Sequence, residues 1–251
     1  MKINTAKRKM LEGKPAIGAS LTLGSPQTGE ILSNMDFDYI LVDCQHGLFD
    51  ERLAAEAFRH IALGPSIPMA RVRNNNFGDI GRLLDMGAMG IVVPMVETVE
   101  QAQTAALASR YPPSGNRSQG PLGARFLGPD YADWFDDELF LAVQLESPAA
   151  VERAEAIMAV DGIDGCWLGP ADLRNTMGVD LDAPEGSAAH EAAIQRILDA
   201  CLKTGKIPGM ATNFDVQRRI DQGFLYVTAG GDYPFILEGA RQFLAICGRE
   251  P

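Results

Sequence analysis

The chain has 251 residues, of which 46% are hydrophobic and 22% charged, a balance typical of a globular protein with one large core. Its 33 acidic residues outnumber the 22 basic ones, and the formal net charge of −11 disfavours binding to nucleic acid or to an anionic membrane. No apolar run reaches the ~18 residues of a membrane span, and no signal-peptide core follows the basic N-terminus. We therefore expect a cytoplasmic protein whose four widely separated cysteines are reduced thiols.

Short apolar runs alternate with amphipathic segments along the chain. The runs predict strands over residues 16–21, 39–43, 68–73, 90–96, 141–146, 166–169, 208–212 and 225–231. The amphipathic segments predict helices over residues 26–34, 51–63, 79–86, from 98 onward, 148–159, 187–204, 214–222 and 234–246. This alternation predicts an α/β fold, a single-domain (β/α)8 TIM barrel over residues 1–251. An open doubly wound sheet is the alternative, but no GxGxxG turn follows the first run.

Residues 111–137 interrupt the alternation. They are rich in glycine and proline, with the aromatic residues Phe126, Tyr131, Trp134 and Phe135 interspersed. A long loop inside a compact domain is usually functional or packs at an interface. We therefore predict a loop at about 111–137 that serves one of these purposes.

Polar side chains stand where several predicted strands end, which is the active-site face of a (β/α)8 barrel. Asp43 and His46 follow the second strand, Arg71 lies on the third, Glu146 ends the fifth, and Asp172 comes just after the sixth. We expect a general base, a cation and two carboxylates to converge on one rim.

Glu146 and Asp172 come from neighbouring strands and can reach one ion together. Two carboxylates without cysteine or histidine ligands favour a hard divalent cation, Mg²⁺ or Mn²⁺, with Co²⁺ as a further option. The alternative is that the two acids form salt bridges across the rim.

His46 is the histidine that best fits a role in proton transfer. It follows a buried strand close to Asp43, which can fix its tautomer and raise its basicity. A packed histidine is the alternative for His46, and we expect surface or core-edge roles for His60 and His190.

Arg71 ends a run of small and apolar residues, so it needs an anionic partner. A substrate carboxylate or enolate suits its guanidinium, although Arg73 is a competing choice. The lysines lie at positions 2, 7, 9, 14, 203 and 206, away from the strand ends, which favours a metal route to an enolate over an imine.

Longer motifs occur in a fixed order along the chain. They are Asp43-Cys44-Gln45-His46-Gly47, Pro68-Met69-Ala70-Arg71, Leu84-Asp85-Met86-Gly87-Ala88, Val93-Pro94-Met95-Val96, Arg110-Tyr111-Pro112-Pro113-Ser114-Gly115-Asn116-Arg117, Val143-Gln144-Leu145-Glu146-Ser147, Gly162-Ile163-Asp164-Gly165 and Gly169-Pro170-Ala171-Asp172-Leu173. From about residue 15 to 245 the sequence resembles the HpcH/HpaI aldolase family of metal-dependent class II pyruvate aldolases.

The resemblance implies that Glu146 and Asp172 bind the divalent metal, which in turn chelates the keto and carboxylate oxygens of pyruvate. Arg71 would hold the keto oxygen and stabilise the enolate. Backbone amides near Gly169–Asp172 would receive the carboxylate. The substrate-binding residues implied are Arg71, Gln144, Gly169, Pro170 and Ala171.

The resemblance also implies a catalytic set with His46 as the proton-transfer group at the aldehyde oxygen. In the family an aspartate matching Asp85 assists this histidine across a subunit contact, and the relatives form trimers of dimers, homohexamers with an exchanged C-terminal helix. The catalytic residues expected here are His46, Arg71, Asp85 and Asp43.

Two positions depart from the family pattern. Gln45 replaces a frequent glutamate beside His46, and Ser118 replaces the usual glycine after the loop arginine. With Ala211-Thr212-Asn213-Phe214, these positions are expected to line the aldehyde pocket and to set the choice of substrate.

The function expected is reversible addition of the enolate of pyruvate or hydroxypyruvate to an aldehyde, or cleavage of a 4-hydroxy-2-oxo acid. One alternative is a CoA-thioester lyase or an oxaloacetate decarboxylase, and CoA would require a basic approach, for which only the region of Arg117 and Arg125 is available. Another is a non-catalytic barrel that senses a carboxylate or a metal. The partners expected are a small 2-oxo acid and an aldehyde.

Overall fold

The computed structural model describes residues 2–212 and 215–249 of the chain. Eight parallel strands form one sheet in the order β6-β5-β4-β3-β2-β1-β8-β7, and two parallel bridges, Gly165 to Ile207 and Leu168 to Met210, join β6 to β7 and bring the barrel close to closure. The strands are β1 (Ala16–Leu21), β2 (Tyr39–Asp43), β3 (Ile67–Arg71), β4 (Gly90–Val93), β5 (Phe140–Val143), β6 (Gly165–Cys166), β7 (Gly209–Thr212) and β8 (Tyr226–Gly231).

Twelve α-helices occur in the described residues, and none of them is long and apolar enough to cross a bilayer. They are α1 (Thr5–Leu11), α2 (Pro26–Ser33), α3 (Glu51–Ile61), α4 (Phe77–Met86), α5 (Val99–Ser109), α6 (Tyr131–Glu138), α7 (Pro148–Glu152), α8 (Ala154–Met158), α9 (Pro170–Met177), α10 (Pro184–Thr204), α11 (Val216–Gln222) and α12 (Asp232–Ile246).

The predicted (β/α)8 barrel is confirmed, and all eight strands lie where apolar runs predicted them. Three helices were not predicted: α1, α6 and α9. The segment predicted as one helix over 148–159 is divided at Arg153 into α7 and α8. The β6 strand covers two residues rather than the four predicted, because the chain turns into α9 at Gly169.

Large aromatic side chains fill the interior of the barrel. The ring of Tyr226 packs 4.6 Å from that of Tyr39 and 4.8 Å from that of Phe140, measured between centroids. The Tyr39 ring occupies the space that a Cβ at Gly18 would take, so the large residue on β2 is matched by the smallest on β1. This layer is a packed core beneath the rim and not a channel.

Residues 111–137, predicted as a long loop, contain a short 3-10 helix (Gly123–Leu127) and all of α6 except its last residue. Arg117 organises the segment, because its guanidinium lies 4.6 Å from the ring centroid of Tyr111 and 4.9 Å from that of Phe135. Its charge is paired with Asp85 on α4 at 2.6 Å. The aromatic residues of this segment therefore enclose a buried cation.

Candidate active site

A cavity of about 610 Å³ opens at the carboxyl ends of the strands. Its walls include His46 after β2, Arg71 at the end of β3, and Asp172 in the first turn of α9. Its far side is formed by residues of α10 and α11, among them Glu191 and Arg218. The structure thus brings His46, Arg71 and Asp172, three of the groups predicted at this rim, to one cavity.

Arg71 is fixed by Asp43. The two residues are opposite each other in the parallel register of β2 and β3, and Arg71 Nε donates to Asp43 Oδ1 over 2.9 Å. A second contact joins Arg71 Nη2 to Asp43 Oδ2, which makes the pair bidentate. Because 11% of the Arg71 side chain and 4% of the Asp43 side chain are exposed, the pair is well shielded from water. Arg71 thus has its anionic partner within the protein, in Asp43, whereas the sequence led us to expect a substrate carboxylate or enolate.

Trp167 packs beside Arg71. The guanidinium carbon of Arg71 lies 5.3 Å from the centroid of the indole ring, which is within the range of a cation–π contact. The indole Nε1 donates to Thr228 Oγ1 over 2.8 Å, and the hydroxyl of Tyr39 lies 2.9 Å from the same oxygen. A hydrogen-bonded chain from the barrel core thus holds the surface against which Arg71 rests.

Glu146 is a buried carboxyl group three residues beyond the end of β5. Burial raises the pKa of Glu146 to about 7, the negative charge of Asp172 contributes in the same direction, and Arg71 acts in the opposite one. Gln144 Nε2 donates a hydrogen bond to Glu146 Oε1. The carboxyl groups of Glu146 and Asp172 are therefore close enough for their charges to interact.

The backbone around Glu146 is shaped to receive it. Met95, just after β4, has a positive φ of 55°, which is uncommon for a residue with a side chain, and its backbone hydrogen-bonds to Glu146. A Cβ at Gly169 would collide with Glu146 Oε1, so a side chain at this position would displace the carboxyl group. Thr176 Oγ1 on α9 also donates to the carbonyl of Glu146 over 2.6 Å. Met95 and Gly169 thus lie next to the carboxyl group, and Thr176 holds the backbone of Glu146.

The residues present fit a divalent cation at this point. Asp172 raises the pKa of Glu146 because the two charges repel, and a cation between them would reverse that effect. Gln144 Oε1 is buried without a hydrogen-bond partner in the described part of the chain, which leaves one more oxygen donor there. The described residues contain no group of three or more His, Cys, Asp and Glu side chains that could hold a metal.

The first turn of α9 lies beside the same region. Gly169, Pro170 and Ala171 line the cavity beside Asp172, and the free N–H groups of a helix start attract anions. His190 on α10 is buried, and its Nε2 lies 2.9 Å from the carbonyl oxygen of Pro170. His190 therefore contacts this turn and lines the cavity. The sequence predicted a surface or core-edge position for it, because it lies in a polar stretch.

His46 is exposed on the wall of the cavity. Its backbone N–H lies 3.3 Å from Asp43 Oδ1, and the N–H of Gln45 donates to the same oxygen over 3.0 Å. Both oxygens of Asp43 also hold Arg71. Asp43 thus accepts hydrogen bonds from the backbone N–H groups of Gln45 and His46 and orients Arg71. It does not make the contact with the His46 ring that was predicted to fix the tautomer.

Other candidates lie apart from this cavity. Arg73, the alternative to Arg71, is exposed and lines a groove with Asp50, Glu51 and Arg82. Within one chain, Asp85 lies on α4 with Arg117 and Ser118 around a separate cavity of about 170 Å³. The amide oxygen of Gln45 is buried without a hydrogen-bond partner in the described residues.

Two of the residues expected to line the aldehyde pocket, Ala211 and Thr212, belong to the wall of the large cavity. Asn213 and Phe214 lie outside the described residues, and Gln45 and Ser118 are not part of this wall. The Thr212 hydroxyl donates to Asp215, which leads into α11. The end of β7 is therefore connected to the far wall of the cavity.

Comparison with known proteins places this geometry in a family context. Residues 18–233 match the family HpcH/HpaI aldolase/citrate lyase. A hydroxypyruvate/pyruvate aldolase from Agrobacterium fabrum is 37% identical over 254 residues, covering 98% of this chain and 93% of the relative. A 4-hydroxy-2-oxo-heptane-1,7-dioate aldolase from Salmonella dublin is 36% identical, covering 98% and 95%. A crystal structure of a family protein from Burkholderia cenocepacia has a TM-score of 0.90 at 29% identity, covering 98% of this chain and 100% of the other.

Proposed function

The chain belongs to the HpcH/HpaI aldolase/citrate lyase family, and from this premise we propose that it is a divalent-metal-dependent aldolase. It adds the enolate of pyruvate or hydroxypyruvate reversibly to an aldehyde and acts on 4-hydroxy-2-oxo acids. The family resemblance predicted from the motifs is confirmed, and the two aldolase relatives, 37% and 36% identical over nearly the whole chain, identify a carbon–carbon lyase.

The observation that carries this proposal is that Arg71 and Asp172 share one cavity and that both act electrostatically on the buried Glu146. The Asp43 pair holds the guanidinium of Arg71 rigidly, and Asp172 shares the cavity with it. Negative charge develops on the keto oxygen of the oxo acid when the carbon–carbon bond breaks. A fixed guanidinium stabilises that charge without having to reorganise.

Glu146 and Asp172 are the residues that would hold the metal, Mg²⁺ or Mn²⁺ by the chemistry of oxygen donors. When bound there, a divalent cation supplies Lewis-acid stabilisation of the enolate. Gln144 keeps Glu146 in position through its hydrogen bond, and the first turn of α9 offers N–H groups to the substrate carboxylate. These contacts orient the oxo acid against Arg71.

His46 carries the proton at the aldehyde oxygen in this proposal. Its exposure at the cavity wall is compatible with exchange of a proton with solvent and with an incoming aldehyde. We assign to Asp85 the role of assisting His46 of a neighbouring subunit. Within its own chain, Asp85 lines another cavity and pairs with Arg117.

Chelation with EDTA followed by return of Mg²⁺ or Mn²⁺ tests the mechanism. We expect EDTA to abolish aldol cleavage and pyruvate C3-proton exchange, and the metal to restore both. Full activity after exhaustive chelation contradicts the proposal. Oxaloacetate should be assayed in parallel, because a much higher rate of its decarboxylation would assign the same site to that reaction instead.

The structure argues against the region proposed to bind CoA in the CoA-thioester lyase alternative. It required Arg117 and Arg125 to form a basic approach, but Arg117 is buried, with its charge paired to Asp85. We therefore retain small oxo acids and aldehydes as the substrates.

We further propose that the chain assembles as a trimer of dimers and works in the cytoplasm. The C-terminal helix α12 supports the assembly, because Phe243 and Ile246 are 74% and 79% exposed, and Ile236 is 57% exposed. Such a patch indicates a protein contact. Sedimentation of wild type and of a Phe243→Ser, Ile246→Ser double variant tests it, and an unchanged mass in the variant would contradict the role of α12.

A further inference from the structure

His190 is a polar residue at an apolar position of α10. It lies on the buried face of this helix, at helical spacing from Gly186, Ile194 and Ile197, and only 7% of the residue is exposed. Its Nε2 lies 2.9 Å from the carbonyl oxygen of Pro170. Because a carbonyl oxygen only accepts hydrogen bonds, Nε2 carries a hydrogen and donates it. A buried imidazole is therefore joined to the first residue of α9.

The start of α9 lacks the cap that other helices of the barrel have. The first helices after β1 to β5 each begin with a side chain that accepts a hydrogen bond from the helix backbone, and these capping residues are Ser25, Asp50, Asn76, Thr98 and Ser147. The helix α9 instead begins after Gly169, which has no side chain to accept one. A Cβ there would meet Glu146 Oε1, so a capping side chain would displace the carboxyl group.

Contacts from other segments hold α9 near both of its ends. His190 bonds to Pro170 at the start of the helix, and Thr176 Oγ1 near its end donates to the carbonyl oxygen of Glu146 over 2.6 Å. Asp172 lies between these two contacts, in the first turn and two residues after Pro170. A displacement of Pro170 would therefore move the carboxylate of Asp172 relative to Glu146.

We propose that His190 is a positioning residue, whose hydrogen bond to Pro170 takes the place of the missing cap and fixes the first turn of α9. This assignment rests on the proposed aldolase function, in which Asp172 holds the metal and the turn receives the carboxylate of the oxo acid. Without the donor the turn can shift, so the metal and the oxo acid should both bind more weakly. The rate at saturation should change little, because Arg71 is held separately by Asp43.

Two substitutions separate the hydrogen bond from the packing of the imidazole. His190→Leu removes the donor but keeps an apolar group of similar size, whereas His190→Gln can place an N–H group near the position of Nε2. We expect His190→Leu to weaken Mn²⁺ binding about 10-fold, measured by titration calorimetry without substrate, as loss of an outer contact of a metal site does. The KM for pyruvate in C3-proton exchange should rise in parallel, with kcat nearly unchanged. His190→Gln should retain the wild-type values.

His60→Leu is the matched control. His60 Nδ1 also lies 2.9 Å from an oxygen, Glu30 Oε2, but His60 is on α3 and is not part of the cavity wall. Its replacement should leave the affinity for Mn²⁺ and the KM for pyruvate unchanged. Wild-type values in His190→Leu, or a loss in His190→Gln as large as that in His190→Leu, would overturn the assignment.

The wild type offers a test that does not depend on the folding of a variant. In protein with labelled histidine, ¹⁵N NMR distinguishes the two neutral tautomers, and His60→Leu and His190→Gln assign the signals by subtraction. We expect the neutral ring of His190 to carry its hydrogen on Nε2, and a hydrogen on Nδ1 alone would overturn the assignment. Weaker Mn²⁺ binding in His190→Leu that His190→Gln restores, together with no C3-proton exchange in the wild type, would instead count against the aldolase function alone.

Discussion

The inner and outer halves of the cavity are built differently. The inner half, where Arg71 lines the wall and Asp43, Gln144 and Glu146 are buried nearby, is shielded and held by the hydrogen bonds of Arg71 with Asp43 and of Gln144 with Glu146. The outer half, formed by His46, Ala171, Leu181 and Arg218, is exposed, with Leu181 at 39% and the Arg218 side chain at 59%. The difference indicates a fixed geometry for the oxo acid and an adaptable one for the aldehyde.

Glu146→Gln should have the largest effect, because it removes a proposed metal ligand from the inner half. We expect kcat/KM for aldol cleavage to fall by about 10³-fold, since loss of several kcal/mol of charge stabilisation corresponds to such a factor. Steady-state kinetics in saturating Mg²⁺ measures this. Glu155→Gln on exposed α8 is the control, and a comparable loss there, or none in Glu146→Gln, would contradict the division into halves.

Asp43→Asn should produce the second largest effect. Arg71 would lose its bidentate carboxylate partner, and removal of such an outer partner costs about 10–100-fold in activity. The loss should appear in kcat and equally in pyruvate C3-proton exchange, because Arg71 acts on the enolate. Asp199→Asn, on the exposed side of α10, should retain wild-type rates. A loss confined to the KM of the aldehyde would place Asp43 in the outer half.

The pKa of Glu146 predicts a pH effect on the metal-free protein. The folded state raises this pKa from 4.5 to about 7, so its stabilising contribution is complete below the unfolded value and is lost as the pH rises through about 7. We expect the Tm of the EDTA-treated wild type, relative to Glu146→Gln, to fall by roughly 5 °C between about pH 5 and about pH 8. A difference that stays constant over this range would show that Glu146 is not buried in this way.

Leu181→Ala should have the smallest effect, because Leu181 is an exposed side chain of the outer half. We expect kcat/KM for small neutral aldehydes to change by less than about 3-fold, because a side chain that is largely exposed to solvent buries little apolar area against a bound aldehyde. The same assay with a panel of aldehydes measures this. A change above 10-fold would mean that the outer half is as rigid as the inner one.

The sequence was sufficient to predict the barrel and the rim. Buried parallel strands appear as continuous apolar runs, and strand ends in such a barrel converge, so Asp43, Arg71 and Asp172 could be placed together. It was not sufficient for α9, because Gly169 and Pro170 also signal a turn. Proline at the first helical position in fact starts this helix.

Contacts between residues that are distant in the sequence could not be predicted. The ion-pair network of Glu191, Arg218 and Arg219 joins α10 to α11, and neither helix alone shows which charged face is turned toward the cavity. The pairing of Asp43 with Arg71 depends on the register of β2 and β3, which apolar runs do not define to the residue. The strained backbone of Met95 has no signal in its own residue type.

The position of Trp167 beside Arg71 gives the protein an optical reporter. The chain has two tryptophans, and the other, Trp134, lies on α6 with Tyr131 and Phe135. An indole ring 5.3 Å from a guanidinium changes its emission when that cation engages a new anion. In a Trp134→Phe background, the fluorescence of Trp167 should therefore report occupancy of the oxo-acid site in real time, without a label and without turnover.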